Sequence, residues 1–207
     1  MGGGTSKQAV GTWAEKEHRN LLRAKRAGVP VPLPLWRKAH ILALEFVGEP
    51  ATRLESAQPA PQLREVQRMS ARGWSRAYVQ VLAIVRALYA DAKLVHCDLS
   101  EYNVLFFRKQ CYAIDLGQAV DIGHPRAAEW LERDLDTISR FFAKRGVDVA
   151  ETARAVGFVT AAAVESDADF LALLRGGAGN EADGGGGAES GDEYEWVGGG
   201  AGKNRSG

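Results

Sequence analysis

Apolar positions along this chain change their period several times, and each change predicts an element. From Trp13 into the mid-twenties they recur at helical spacing; Thr12 stands where a cap would, with Glu15 as its capping-box partner. Gly28 and the prolines at 30, 32 and 34 end that helix, because proline cannot continue it. Ile41 to Val47 reads as one or two buried strand segments, and Gly48 to Pro61, with its prolines and alanines, as a surface linker. Trp74, Tyr78, Val81, Leu82, Val85, Leu88 and Tyr89 then trace the core stripe of a long helix. Leu94-Val95 predicts a buried strand end. Val104 to Phe107 and Cys111 to Ile114 predict a hairpin with its tip at Arg108-Lys109-Gln110. Trp130, Leu131, Leu135, Ile138 and Phe142 mark another helix; further helical stretches are expected over Val149 to Val164 and Ala168 to Leu174. From Gly176 the chain turns glycine-rich and acidic and buries too little apolar surface to offset ordering, so the tail 176–207 is expected to be disordered. Within it, Tyr194-Glu195-Trp196-Val197 is the one candidate for a short binding motif.

Composition narrows the function classes. A chain of 207 residues with zero formal net charge has length for one substantial core, and no overall basic field draws it to nucleic acid or anionic membrane. Arg19, Arg23, Lys25 and Arg26, with Arg37 and Lys38 beyond them, form a local basic cluster, read first as a solvated helix face. Cys97 and Cys111 have neither disulfide-framework nor zinc-site spacing, so buried thiols in a reducing compartment are expected. No apolar run approaches the ~18 residues of a membrane span, and no signal segment opens the chain.

The chemistry concentrates between residues 94 and 117. His96, Asp98 and Asn103 lie in one turn-like segment between apolar runs, and Asp115 follows the hairpin in an Ile-Asp-Leu-Gly string. A hairpin of that length returns Asn103 and Asp115 to one edge, where both can offer oxygen to Mg²⁺. Asp98 then sits where it can meet a substrate hydroxyl, which is the layout phosphoryl transfer from a metal-bound nucleotide requires. His96, directly after an apolar pair, suits a packed imidazole. The competing view of the segment is a loop of solvated polar residues.

These residues also carry a resemblance. Leu94 to Leu105 (LVHCDLSEYNVL), Ala113 to Val120 (AIDLGQAV) and His124 to Leu135 (HPRAAEWLERDL) resemble the RIO family of atypical serine/threonine protein kinases, and Ser100 points to its Rio-one branch. Upstream, Trp13 to Pro32 and Leu44 to Glu49 are similar to the same family, so the likeness runs from about Thr12 to about Val149. It implies an α+β, protein-kinase-like (RIO) fold with a truncated N-lobe and a mostly helical C-lobe. The expected organisation is a disordered leader at 1–11, a RIO kinase-like domain at 12–175 (partial N-lobe 12–47, C-lobe from about 62) and the tail.

The resemblance implies ATP and Mg²⁺ as cofactors. Asp98 would be the catalytic aspartate, Asn103 and Asp115 the metal ligands, and Asp115 also a phosphate acceptor. Leu44 would be the gatekeeper of the purine pocket, and Glu45 and Val47 would meet the adenine edge through their backbones. Glu17 would be the helix glutamate that pairs with a phosphate-binding lysine; Glu15, about 200° around the helix, is its rival. Only twelve residues precede Trp13, without a Gly-rich loop; Lys7 lacks strand surroundings and Lys16 lies in the helix, so the first strands and that lysine are expected to be missing. Also implied are a role with the pre-ribosomal small subunit, a ribosomal RNA contact by the basic cluster, and a cytoplasmic location with the nucleus as a second compartment; no membrane partner is expected. Two other classes stay open: a nucleotide-binding or scaffold protein without turnover, and a small-molecule kinase of the aminoglycoside or choline type.

Overall fold

The computed structural model describes residues 5–51, 56–161 and 195–196. It begins with α1 (Thr5–Arg26), a 22-residue helix. The helix therefore takes in residues expected to be a disordered leader, and Thr12 lies inside it rather than capping it. Lys7, Gln8 and Ala9 are good helix formers with no proline among them, and the single Gly11 costs too little to stop the helix. Its end follows the expectation. Gly28 is left-handed at φ 76°, and the amides of Gly28 and Val29 reach back to Lys25 O (3.0 Å) and Ala24 O (3.0 Å), closing a Schellman cap over the buried Ala24–Val29 contact. Arg23, Lys25 and Arg26 complement the helix dipole in the last turn.

β1 (Pro34–Lys38) and β2 (Ile41–Leu44) form an antiparallel hairpin beside α1. The strands were expected, but not their exposure: Ile41 is 54% exposed on a hairpin that no third strand joins among the described residues, and Phe46, 51% exposed, lies beyond the strand, which ends at Leu44. The expected linker is partly structured, since β3 (Gly48–Glu49) pairs with β4 (Gln58–Pro59). Gly48 is required there: at φ 154° any Cβ would lie 2.2 Å from Gln58 O.

The helical part is built on α2 (Ala71–Ala90), whose first turn is capped by Ser70 accepting from Gly73 N at 3.0 Å, a contribution of about 1 kcal/mol. The predicted stripe is buried from Trp74 to Leu88, with Tyr89 partly so. Against it pack α3 (Ala127–Ala143), through tilted and edge-on contacts of Trp74 and Tyr78 with Phe141 and Phe142, and α4 (Thr152–Thr160), whose Phe158 ring lies under Arg86. The buried Tyr78 hydroxyl ties in α3 and the loop that leads into α4, meeting Ser139 Oγ and accepting from Ala150 N, each at 3.2 Å. Within the stretch expected over Val149 to Val164 the helix is shorter at its start, and residues 162–164, like the Ala168–Leu174 stretch, lie outside the described residues. Of the tail only β10 (Glu195–Trp196) is described; it pairs antiparallel with β5 (Val66–Arg68), so at these two residues the expectation of disorder is corrected.

Between α2 and α3 lie the short elements that carry the polar residues: β6 (Leu94–Val95), which pairs with β9 (Val120–Asp121), and the hairpin of β7 (Val104–Phe107) with β8 (Gln110–Ala113). Its tip is the two residues Arg108-Lys109, both at positive φ, with Gln110 already in the strand. Gln80 of α2 braces this turn, donating to Lys109 O and accepting from Cys111 N, both at 2.8 Å.

Candidate active site

The hairpin does what its length predicted. Val104 pairs with Ala113, and Ile114 N donates to Asn103 O at 3.0 Å, so Asn103 and Asp115 emerge side by side at its open end. The Asn103 carboxamide donates Nδ2 to Asp98 O at 2.8 Å and to Asp98 Oδ2 at 3.3 Å, which leaves its oxygen as the acceptor facing a ligand. Asp98 and Asp115 are exposed. Asp115 sits at φ 58°, and its Oδ1 accepts from Gly117 N at 3.4 Å. His96 is packed as expected: 3% exposed, Nε2 against Ile114 O at 3.0 Å, its pKa lowered chiefly by burial, so it stays neutral.

An open cleft of about 540 Å³ adjoins this edge, lined by Glu17, Leu44, Glu45, Phe46, Val47 and Asp115 among others. It thus unites five of the seven predicted site residues, while Asp98 and Asn103 stand at its rim through their contact with the hairpin end. Glu17, not Glu15, faces the cleft: Glu15 is exposed, whereas burial and then the Asp115 charge push the Glu17 carboxyl up. Among the described residues no cation pairs with Glu17. On the segment after Leu44, the Glu45 amide is spent on Leu33 O (2.8 Å) and the Val47 carbonyl on Ala60 N (2.9 Å).

Sequence reasoning missed the residues that hold the two loops. Asp134, 2% exposed on α3, accepts from Cys97 N at 2.7 Å and from Leu99 N at 3.2 Å, gripping the backbone on both sides of Asp98. Arg133 donates to Cys97 O from the same helix. Cys97 is forced to φ 69°, a conformation costing about 1–3 kcal/mol in a non-glycine residue, which these bonds offset. Burial, before any other influence, pushes the Asp134 carboxyl up to about 6. Asn20, 2% exposed on α1, donates to Leu116 O (2.9 Å) and Ala119 O (3.2 Å) just beyond Asp115. Both carried a signal: Asp134 lies on the Leu131–Leu135–Ile138 stripe and Asn20 beside Leu21 and Ala24, each a polar residue on an apolar face, where burial demands a partner.

The predicted basic cluster is partly structural. Arg23 pairs with Asp121 at 3.1 Å, and Lys25 holds Val31 O at 3.1 Å and Glu45 at 3.6 Å. No helix among the described residues is long and apolar enough to cross a membrane.

The donor set suits a hard cation. A carboxylate, a carboxamide oxygen and an open face for phosphate oxygens and water match Mg²⁺, which keeps few protein ligands.

Comparison with known proteins agrees with this geometry. The RIO domain family model matches residues 4–155, starting earlier than the resemblance at Thr12 had indicated. The chain is 38% identical over 157 residues to human serine/threonine-protein kinase RIO1 and 40% over 172 residues to human RIO3, covering 76% and 81% of this chain. It is 43% identical over 139 residues to the RIO-type serine/threonine-protein kinase Rio1 of Thermoplasma acidophilum, covering 67% of this chain and 68% of that protein. It spans only 26% and 32% of the two human relatives. RIO1 and RIO3 are thus matched about equally. The crystal structure of a Rio2 kinase–ADP/Mg²⁺–phosphoaspartate complex from Chaetomium thermophilum superposes with a TM-score of 0.61 at 22% identity, covering 86% of this chain and 52% of that one, which establishes the protein-kinase-like fold. A match over most of the chain, with relatives near 40% identity, places this protein in the RIO-domain family of atypical kinases.

Proposed function

We propose that this chain binds Mg²⁺-ATP in the cleft beside Asp115 and serves as a RIO-type serine/threonine kinase or ATPase. The observation that carries the reading is the convergence of Asp98, Asn103 and Asp115 at the hairpin end, next to a cleft lined by Leu44, Glu45 and Val47. With the Glu45 amide and Val47 carbonyl already spent, the Glu45 carbonyl and Val47 amide remain to pair with an adenine edge, against the Leu44 side chain. Asn103 and Asp115 would hold Mg²⁺, which when bound neutralises charge on the transferring phosphoryl group. Asp98, anchored by Asp134 through its neighbours, would orient the acceptor hydroxyl and take its proton. Asp115 would also be the phosphate acceptor in an ATPase cycle, in keeping with the phosphoaspartate in the Rio2 complex. Work on the pre-ribosomal small subunit, including contact with its RNA, and a cytoplasmic or nuclear location belong to the same reading. The relatives named above are protein kinases, which favours this class over small-molecule kinases.

One observation favours a second reading, nucleotide binding without turnover: no cation among the described residues faces Glu17 to supply the electrostatic clamp that helps phosphoryl transfer. Calorimetry and ATP hydrolysis separate the two, run on the chain as given and on one extended upstream by a family N-terminal segment. The kinase reading expects Mg²⁺-dependent ATP binding, lost in Asp115→Asn, and turnover in at least the extended form that Asp98→Ala removes without weakening binding. Binding with no turnover in either form selects the second reading; Mg²⁺-ATP affinity unchanged in Asp115→Asn sinks the metal assignment.

A further inference from the structure

Asp115 has little of its own to hold it. Its carboxylate is exposed, its φ is 58°, and its contact with Gly117 N is long at 3.4 Å. Its direction is therefore set by the backbone that follows. That backbone is a tight turn, closed by Ala119 N donating to Leu116 O at 3.2 Å, with both residues fully buried. Asn20 reaches it from α1, spending both hydrogens of one Nδ2, one on each end of the turn. One turn earlier on the same helix, Lys16 donates to Gln118 O at 3.2 Å, the carbonyl between them. Two donors four residues apart thus bind three carbonyls of one turn. Asn103 is anchored independently, by the hairpin and by Asp98. The separation between the two prospective ligand oxygens is consequently fixed by two different supports, and only that of Asp115 comes from α1.

We propose that Asn20, backed by Lys16, is the positioning residue that sets the Asp115 carboxylate for a small divalent cation. The proposal rests on Asp115 being a metal-holding carboxylate, as argued above. It makes a distinction that a purely packing role does not. Mg²⁺ demands near-octahedral oxygens at about 2.1 Å, whereas Ca²⁺ accepts longer, irregular coordination. A loosened Asp115 should therefore penalise Mg²⁺ more than Ca²⁺.

The test is calorimetric titration of ATP into the chain with Mg²⁺, with Ca²⁺ and with chelator alone, for the unmodified protein, Asn20→Leu and Lys16→Met. Asn20→Leu keeps the branched shape and the number of heavy atoms and removes the donors. It is expected to raise the Mg²⁺ concentration needed for half-maximal nucleotide binding by about ten- to hundredfold, the usual effect of losing a partner behind a metal ligand. The Ca²⁺ requirement should change less, and chelator-only affinity not at all. An unaltered Mg²⁺ requirement, or equal losses for both ions, overturns the proposal. Should Asn20→Leu not fold, Lys16→Met decides at an exposed bond: a smaller rise for Mg²⁺ supports the assignment, and none overturns it. Asp115→Asn is the reference. If it too leaves Mg²⁺ dependence untouched, the metal reading itself has failed; if it abolishes that dependence while the α1 variants do not, only the positioning role has.

Discussion

Two influences compete at Asp134, and the pH dependence of stability shows which wins. Burial raises its pKa from the ordinary 3.8 to about 6, while the amides of Leu99 and Cys97 pull the other way by favouring the charged form. If burial wins, the folded protein between about pH 4 and 6 holds a proton that the unfolded chain has released. The contribution of this carboxyl is then fully present in acid and is lost as pH rises toward 6. A rise of about two pH units in pKa, at ~1.4 kcal/mol each, makes that loss about 3 kcal/mol. Asp134→Asn removes the titration and sets an NH₂ against one of two amide donors, stranding a buried N–H at about 1–3 kcal/mol. Urea unfolding of both proteins from pH 4 to 8 should therefore find the variant less stable in acid. The gap between them should be wider at pH 4 than at pH 8 by about 3 kcal/mol. Other carboxylates titrate in both proteins and cancel in the difference. A gap that is constant, or that narrows in acid, refutes the reasoning: the amide bonds would then outweigh burial, and Asp134 would be held as a stable anion.

Gly48→Ala should lower the melting temperature, with a loss of about 2 kcal/mol or more from the positive φ and the close Gln58 oxygen; an unchanged melting temperature would show that the β3–β4 ladder shifts freely. Burial pushes the Cys111 thiol up to about 12, and burial followed by the Asp134 charge pushes Cys97 to about 11, so few thiolates exist near neutrality. Iodoacetamide at pH 8 should accordingly label the native protein on the order of a hundredfold more slowly than the protein in urea, and equal rates, followed by mass, would contradict this.

What the sequence made legible follows from how local each signal is. The α2 stripe, the Gly28 stop and the hairpin are set by periodicity and turn chemistry within a few residues, and they stand as read except that the hairpin tip is one residue shorter. The pairing of Asn103 with Asp115 was legible because a hairpin's length fixes which residues face each other. The start of α1 was not, since Thr12 with Glu15 three residues on reads as a capping box, and Gly11 before it costs only about 1 kcal/mol inside a long helix. The exposure of Ile41 and Phe46 was hidden too, because an apolar run shows that a strand has a face to bury but not whether anything covers it. Asp134 and Asn20 lie 36 and 95 residues from Asp98 and Asp115 respectively in the chain. Their partners are backbone groups, which leave no mark on the sequence.

That last class explains how the site combines exposure with order. In the proposed role Asp98 and Asp115 must stay accessible, and an accessible carboxylate has few contacts to fix it. The structure moves the fixing one layer inward, to carbonyls and amides of neighbouring residues, and supplies each loop from a different helix. The choice of side chain follows the polarity of what is held. The loop around Asp98 presents N–H groups and is met by a pair of acceptors, the Asp134 carboxyl oxygens; the turn after Asp115 presents C=O groups and is met by a neutral donor, Asn20. A carboxylate at position 20 would face two carbonyl oxygens and add negative charge close to Asp115 and Glu17, whose charges already oppose each other. An amide is the polar side chain of that size that donates twice without adding charge, and it leaves the negative potential at the cleft edge to the two residues that present it to a cation.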